Sequence, residues 1–189
     1  MIKIGILGDI GSGKSYVANS FGYPVFNADD EVSELYKKNI KIFKKLNKIL
    51  PKHIITFPID KSEITNAILS NKKNLKKIIK IVHQEIRNKM HLFIKKNKNK
   101  KIVILDIPLF LENKINKKND ILIYVSANKT EIQKRLKKRK HFNQNIIAMF
   151  KKIQLPLAYK KKRSHFIIKN NFTNKFVKRD INMILDKIL

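Results

Sequence analysis

The chain has 189 residues and a formal net charge of +29 at pH 7, a length on the order of one domain and, at 43% apolar, enough to bury a core. With no cysteine, a disulfide scaffold, a cysteine nucleophile and a thiolate metal site are excluded. Gly8-Asp9 interrupts the first apolar run too early for a signal peptide, and the longest apolar stretch, Ile102 to Leu111, carries Asp106 and Pro108 and is too short to span a bilayer; a soluble cytoplasmic protein is expected.

Ile2 to Leu7 is a short apolar run ending at a glycine, the pattern of a buried strand. Lys14 to Phe21 reads as a helix, with Val17, Ala18 and Phe21 on one side. Tyr23 to Phe26 is a second short apolar piece, ending at Asn27-Ala28-Asp29-Asp30. From Glu31 to Leu50, Val32, Leu35, Tyr36, Phe43, Leu46 and Leu50 recur at helical spacing, and Pro51 closes the segment, with Pro58 in a loop. A second long helix is expected from about Asn71 to Lys96, with Leu75, Ile78, Ile79, Val82, Ile86 and Phe93 inward. Ile102–Ile107 and Ile121–Val125 are continuous apolar runs, as in strands buried on both faces of a parallel sheet. Thr130-x-x-Gln133 reads as a capping box opening a helix through Arg139. Phe166 to Ile168 is a last strand and Phe176 to Leu189 a last amphipathic helix. Strands alternating with helices predict an α/β fold around a parallel sheet.

The charge raises the question of nucleic acid. The basic residues are 38 Lys and five Arg, and Ile, Lys and Asn make up 90 of the 189 positions. All three are encoded by AT-rich codons, so the composition favours lysines scattered over a solvated surface. Arginine, the residue suited to bidentate phosphate and base contacts, is scarce. No specific nucleic-acid partner is expected, only weak polyanion binding at low salt.

One motif carries chemistry. Gly8-Asp-Ile-Gly-Ser-Gly13-Lys14-Ser15 fits G-x-x-x-x-G-K-[ST] at every fixed position and sits between an expected strand and an expected helix. Glycines there let backbone N–H groups close around phosphate oxygens, the following helix points its N-terminus at them, Lys14 reaches the β- and γ-phosphates, and the Ser15 hydroxyl ligates Mg²⁺. A phosphoryl transfer also needs a base or orienting carboxylate and cations over the transferring group. Asp29 and Asp30 follow an expected strand at the sheet edge where α/β folds place ligands, although an exposed Asp opening a helix is more often a simple N-cap. His83 and Arg87 stand at i and i+4 beside an apolar helix face, and Arg135 and Arg139 form another such pair. Alone, the first reads as a packing histidine with a surface arginine, the second as a solvated helix end.

Together these pieces resemble the dephospho-coenzyme A kinase family. The resemblance runs through Ile4 to Ser15, Pro24 to Asp29 (where the family usually carries Asp-Ala-Asp), Asp60-Lys61, Val82-His83-Gln-Glu-Ile-Arg87, Leu105-Asp106-Ile-Pro-Leu-Phe-Leu-Glu112-Asn, Arg135-x-x-x-Arg139, Gln154-Leu-Pro156-Leu and Arg163 to Asn170. It implies a five-stranded parallel sheet flanked by helices, with a core at 1–28, 98–135 and 161–189, a helical acceptor-binding insertion at 29–97 and a lid at 136–160. It also implies transfer of the ATP γ-phosphoryl to the ribose 3′-hydroxyl of dephospho-coenzyme A, with Mg²⁺, by a monomer that needs no membrane. Carried over residue by residue, ATP falls to Gly8, Asp9, Ile10, Gly11, Ser12, Gly13, Lys14 and Ser15, with Asn170 in the segment lining the adenine pocket. Ser15 holds the metal. Asp29 activates the 3′-hydroxyl, His83, Arg87 and Asp106 face the acceptor, and Arg139 is a lid arginine that stabilises charge on the transferring phosphoryl.

The chain also departs from that pattern. Asn27 stands for the first Asp of Asp-Ala-Asp, Leu7 and Asp9 for a Thr and a Gly at the loop, Tyr16 for a Thr, Gln84 for a Pro, Lys140 for an Asp and Phe150 for an Arg. Asp9 brings negative charge toward the phosphates unless its side chain points away. Two alternatives remain: another small-molecule kinase, such as a nucleoside monophosphate kinase, and a degenerate kinase that binds nucleotide or nucleic acid without turnover. The His83/Arg87 pattern argues against the first. Retention of Lys14 and Asp29 argues against the second.

Overall fold

Five apolar runs become the five strands of one sheet: β1 (Ile2–Gly8), β2 (Val25–Asn27), β3 (Ile102–Asp106), β4 (Ile121–Ser126) and β5 (Phe166–Lys169). The computed structural model describes residues 1–138 and 142–189. Every strand pair is parallel, in the order β2-β3-β1-β4-β5. Ile4, Ile6, Ile102, Val103, Ile104 and Ile123 are wholly buried, which is why these strands read as unbroken apolar runs rather than alternating ones. Gly5 is a packing requirement of the same layer, because a Cβ there would meet the buried Phe110 ring at 2.5 Å.

Among the described residues the helices are α1 (Lys14–Ser20), α2 (Ala28–Lys38), α3 (Ile40–Ile49), α4 (Lys61–Ser70), α5 (Lys72–Lys96), α6 (Lys129–Lys137), α7 (Gln144–Ile153), α8 (Leu157–Arg163) and α9 (Asn174–Ile188). The chain divides into two compact units, Met1–Asn27 with Asn97–Asn143 and Lys151–Leu189, and Ala28–Lys96 with Gln144–Phe150. In the first, Val17 and Ala18 of α1 join Val177, Ile181 and Ile184 of α9 in one apolar cluster with the strands. Each of the larger side chains contributes about 1.5–3 kcal/mol of burial.

In the second unit, α5 lays Leu75, Ile78, Val82, Ile86 and Met90 inward as one stripe and packs on α2, α3 and α4. Tyr36 of α2 is buried there, and burial pushes its phenol far above the usual tyrosine range. Asn74 is also buried, its Nδ2 donating to the Ala67 carbonyl at 2.8 Å.

The α/β architecture with a five-stranded parallel sheet flanked by helices is therefore as the sequence implies. Several local expectations differ. The expected helix from Glu31 to Leu50 is two, because Asn39 leaves helical geometry and its side chain accepts from Ile42 N–H at 3.0 Å, capping α3. Helix α6 is capped by Asn128, not by Thr130: the Asn128 side chain accepts from Thr130 N–H at 2.8 Å. The helix is described over Lys129–Lys137, and its expected end at Arg139 lies outside the described residues. Helix α4 was not anticipated, although Asp60, whose carboxylate caps it at 2.6 Å, followed three residues later by Glu63, is a start signal. Helices α7 and α8 are further additions to the expected elements: α7 is apolar at Ile146, Ile147, Met149, Phe150 and Ile153, whereas α8 is lysine-rich.

Candidate active site

Parallel strands bring the loop after β1 to the C-terminal edge of the sheet, at the point where the chain has neighbours on both sides, β3 and β4, the place α/β sheets use for ligands. Gly8 to Ser15 lies there. Gly13 takes the left-handed conformation at φ 86° and α1 starts without any side-chain cap; a helix N-terminus of this kind is suited to an anion. Gly13 can only be glycine for a second reason: a Cβ would collide with Asn170 Nδ2 and approach the Phe172 ring at 3.3 Å. Gly11 is likewise pressed on Leu136 and Ile132 of α6. Gly13→Ala is expected to lower the unfolding free energy by about 1–2 kcal/mol from the backbone alone, and to weaken nucleotide binding. A urea midpoint and an ADP titration check the two effects.

Lys14 Nζ donates to the Asp9 carbonyl at 2.9 Å and to the Gly8 carbonyl at 3.5 Å, curling over the loop. The Ser12 hydroxyl is buried and finds no hydrogen-bond partner among the described residues. Asp9 turns back on its own loop, with Oδ1 accepting from Ile10 N–H at 2.7 Å. Burial first and the Asp9 carboxylate second push the Tyr124 phenol upward. Asp9 also lines a cavity of about 390 Å³ with Lys129, Gln133, Lys151 and residues 154–157.

Asp106 ends β3, buried at 3% exposure, and lies in register with Asn27 of β2. Neighbouring strands run about 4.8 Å apart, so an aspartate at 27 would set two carboxylates side by side. Asn27 removes that like charge. Ser15 is the second residue of α1 and exposed. Among the described residues no group of three or more His, Asp or Glu side chains could hold a metal. A Mg²⁺ that leans on nucleotide phosphates needs only one or two protein oxygens, and the Ser15 hydroxyl and Asp106 carboxylate are of that kind.

In the helical unit, Asp29 is exposed in the first turn of α2, where the helix dipole favours a negative side chain. His83 and Arg87 share one face of α5, both half-buried, and Arg87 donates to Gln84 Oε1 at 3.2 Å. A cavity of about 750 Å³ in this unit is lined by residues that include Glu31, Glu34, Lys38, Glu85 and Lys89; Asp29, His83 and Arg87 are not among them. Arg139 lies outside the described residues.

Two features went unnoticed in the sequence. Arg135 is exposed in the last turn of α6, as expected, but it also has a partner: its guanidinium sits 3.9 Å from the centroid of the Phe172 ring, a cation–π contact. Glu112 and Lys160 form a buried ion pair at 2.7 Å, and nothing marks Lys160 among 38 lysines.

The sheet order, the loop after β1 and the lysine folded over it define a P-loop kinase. Solved structures agree on the fold: a Thermus thermophilus protein matches with a TM-score of 0.74 and 25% identity over 100% of this chain and 98% of its own. A dephospho-CoA kinase from Campylobacter jejuni matches with a TM-score of 0.64 and 22% identity over 98% and 96%. The sequence model of dephospho-CoA kinase matches residues 2–175. Curated dephospho-CoA kinases of Wolbachia sp. subsp. Brugia malayi and Wolbachia pipientis wMel are 32% and 31% identical, each over 98% of this chain and 97% of the relative. The chain belongs to the dephospho-CoA kinase family, kinases that transfer phosphate to an alcohol group. No helix among the described residues is long and apolar enough to cross a membrane.

Proposed function

We propose that this chain phosphorylates the ribose 3′-hydroxyl of dephospho-coenzyme A with MgATP, giving coenzyme A and ADP. The observation that carries the reading is the intact phosphate loop, leading into an uncapped α1 and with Lys14 folded over it, in a chain matched by the family from residue 2 to 175. Lys14 Nζ exchanges its carbonyl partners for β- and γ-phosphate oxygens, and the buried Ser12 hydroxyl gains an acceptor. The Ser15 hydroxyl and the Asp106 carboxylate would hold a Mg²⁺, which would supply charge neutralisation at the phosphates. Asp29 takes the 3′-hydroxyl proton as that oxygen attacks the γ-phosphorus, and the bond from the γ-phosphorus to the bridging oxygen breaks to release ADP. His83 and Arg87 bind the polyanionic acceptor. Residues 29–97 serve as the acceptor-binding region and 136–160 as a lid whose Arg139 offsets charge on the phosphoryl group. The protein acts as a cytoplasmic monomer without a nucleic-acid partner.

The test is ADP release from MgATP with and without dephospho-coenzyme A. Release that requires the acceptor is the expected result. ATP binding without acceptor-dependent release would overturn the assignment.

A further inference from the structure

The resemblance puts Asn170 in the segment lining an adenine pocket, yet its side chain faces the phosphate loop. Asn170 is 2% exposed. Its Nδ2 donates to the Ser12 carbonyl at 2.9 Å, and its Oδ1 accepts from Phe172 N–H at 2.9 Å. Its backbone N–H donates to the Ser126 carbonyl at 2.7 Å, at the end of β4. One buried residue thus joins the loop after β1, the end of β4 and the turn leaving β5. The fit is close on the loop side, since a Cβ on Gly13 would collide with that amide. On the far side the turn is itself fixed: Phe172 takes φ 63° and carries Arg135 of α6 on its ring.

From this geometry we infer that Asn170 is a positioning residue, a strut that holds the Ser12–Gly13 peptide in its phosphate-binding orientation, and not a reader of the nucleotide base. The physical reason is the Ser12 carbonyl. In an anion-binding loop the amides must face the ligand, so the carbonyls must face away and be satisfied by the protein. Asn170 Nδ2 supplies that donor, and supplies it from a buried site where the alternative is an unpaired carbonyl. Both polar ends of the side chain are engaged within the protein.

The inference rests on the phosphate-loop reading above, and the experiment separates the two. Inorganic pyrophosphate has phosphates and no base; ADP has both. Binding of each is measured calorimetrically to the full chain, to Asn170→Ala and to Asn170→Asp. The Asp variant keeps an acceptor for Phe172 N–H, replaces the donor to Ser12 by a carboxylate oxygen and adds a negative charge beside the loop. The Ala variant removes the same donor without adding charge, so a loss shared by both is assigned to the missing donor. If Asn170 is a strut, both variants lose about tenfold in affinity for pyrophosphate and for ADP alike. With ATP as substrate, KM rises by a similar factor in Asn170→Asp. Exchange of the loop amides at 9–13 is faster in the unliganded Asn170→Asp protein, a readout that stands even if Asn170→Ala fails to fold. A loss confined to ADP, with pyrophosphate binding intact, would overturn the strut and make Asn170 a base-contacting residue. Unchanged binding of both ligands would overturn it as well. Failure of the unaltered protein to bind either ligand would instead overturn the phosphate-loop reading on which the strut depends.

Discussion

Asn in place of Asp29 is expected to slow acceptor-dependent ADP release by about 10²–10⁴-fold, the usual range for loss of a positioned general base, with little change in KM for ATP. The size follows from the chemistry. A ribose hydroxyl is a poor nucleophile until its proton has somewhere to go, and an amide of the same shape accepts no proton. Structural collapse is not the expected cause. Asp29 is exposed in the first turn of α2, so its neutralisation removes only a helix-dipole interaction of about 0.3–1 kcal/mol. Asp30→Asn is the matched control, because it neutralises the neighbouring exposed carboxylate in the same helical turn and so removes a similar dipole interaction. The measurement is a coupled ADP assay on both variants with thermal midpoints alongside. Equal losses in the two would assign the effect to helix α2 rather than to a base at position 29, and undiminished turnover in Asp29→Asn would remove Asp29 from the reaction.

What the sequence shows of this protein depends on how local each feature is. The strands are legible because the parallel sheet is covered on both faces, so Ile102 to Leu105 had no polar face to present. The phosphate loop is legible because its parts lie within eight consecutive residues. Helix caps were harder. Asn39 interrupts the chain within an apolar spacing that runs on across α2 and α3, and its extended backbone and side-chain bond to Ile42 N–H reveal the division. Long-range partners were not legible at all. Asn170 meets Ser12 across 158 positions, and Arg135 finds Phe172 through a turn whose shape no spacing encodes. The Lys excess hides selection among like residues. Lys160 sits in a run of four cations at the end of α8, and it alone of the four is buried.

That lysine carries the second large effect. Lys160→Ala is expected to lower the unfolding free energy by about 3–5 kcal/mol, as when one partner of a buried ion pair is removed, and the thermal midpoint by about 6–20 °C for a chain of this size. The Lys160 and Glu112 side chains are 4% and 9% exposed, with Nζ and Oε1 2.7 Å apart. Glu112 Oε1 also accepts from Leu155 N–H at 2.9 Å, while Oε2 is buried without a hydrogen-bond partner among the described residues. Loss of the ammonium therefore leaves a carboxylate out of water with one backbone donor. Removing both charges is a different experiment. In Glu112→Leu/Lys160→Met no charge is stranded, and replacing a buried pair by apolar residues of similar volume is often neutral. The double variant should recover most of the stability that Lys160→Ala loses, and a double-mutant cycle by urea unfolding reads the coupling. The Leu155 amide adds a test that stability alone does not contain. It belongs to the segment 154–157 that shares a cavity with Asp9 of the phosphate loop, and Glu112 is its acceptor. The double variant should therefore unfold at nearly the original midpoint while Leu155 N–H exchanges faster. If Lys160→Ala costs less than about 1 kcal/mol, the pair behaves as a solvated surface bridge, and Glu112 does not anchor that segment.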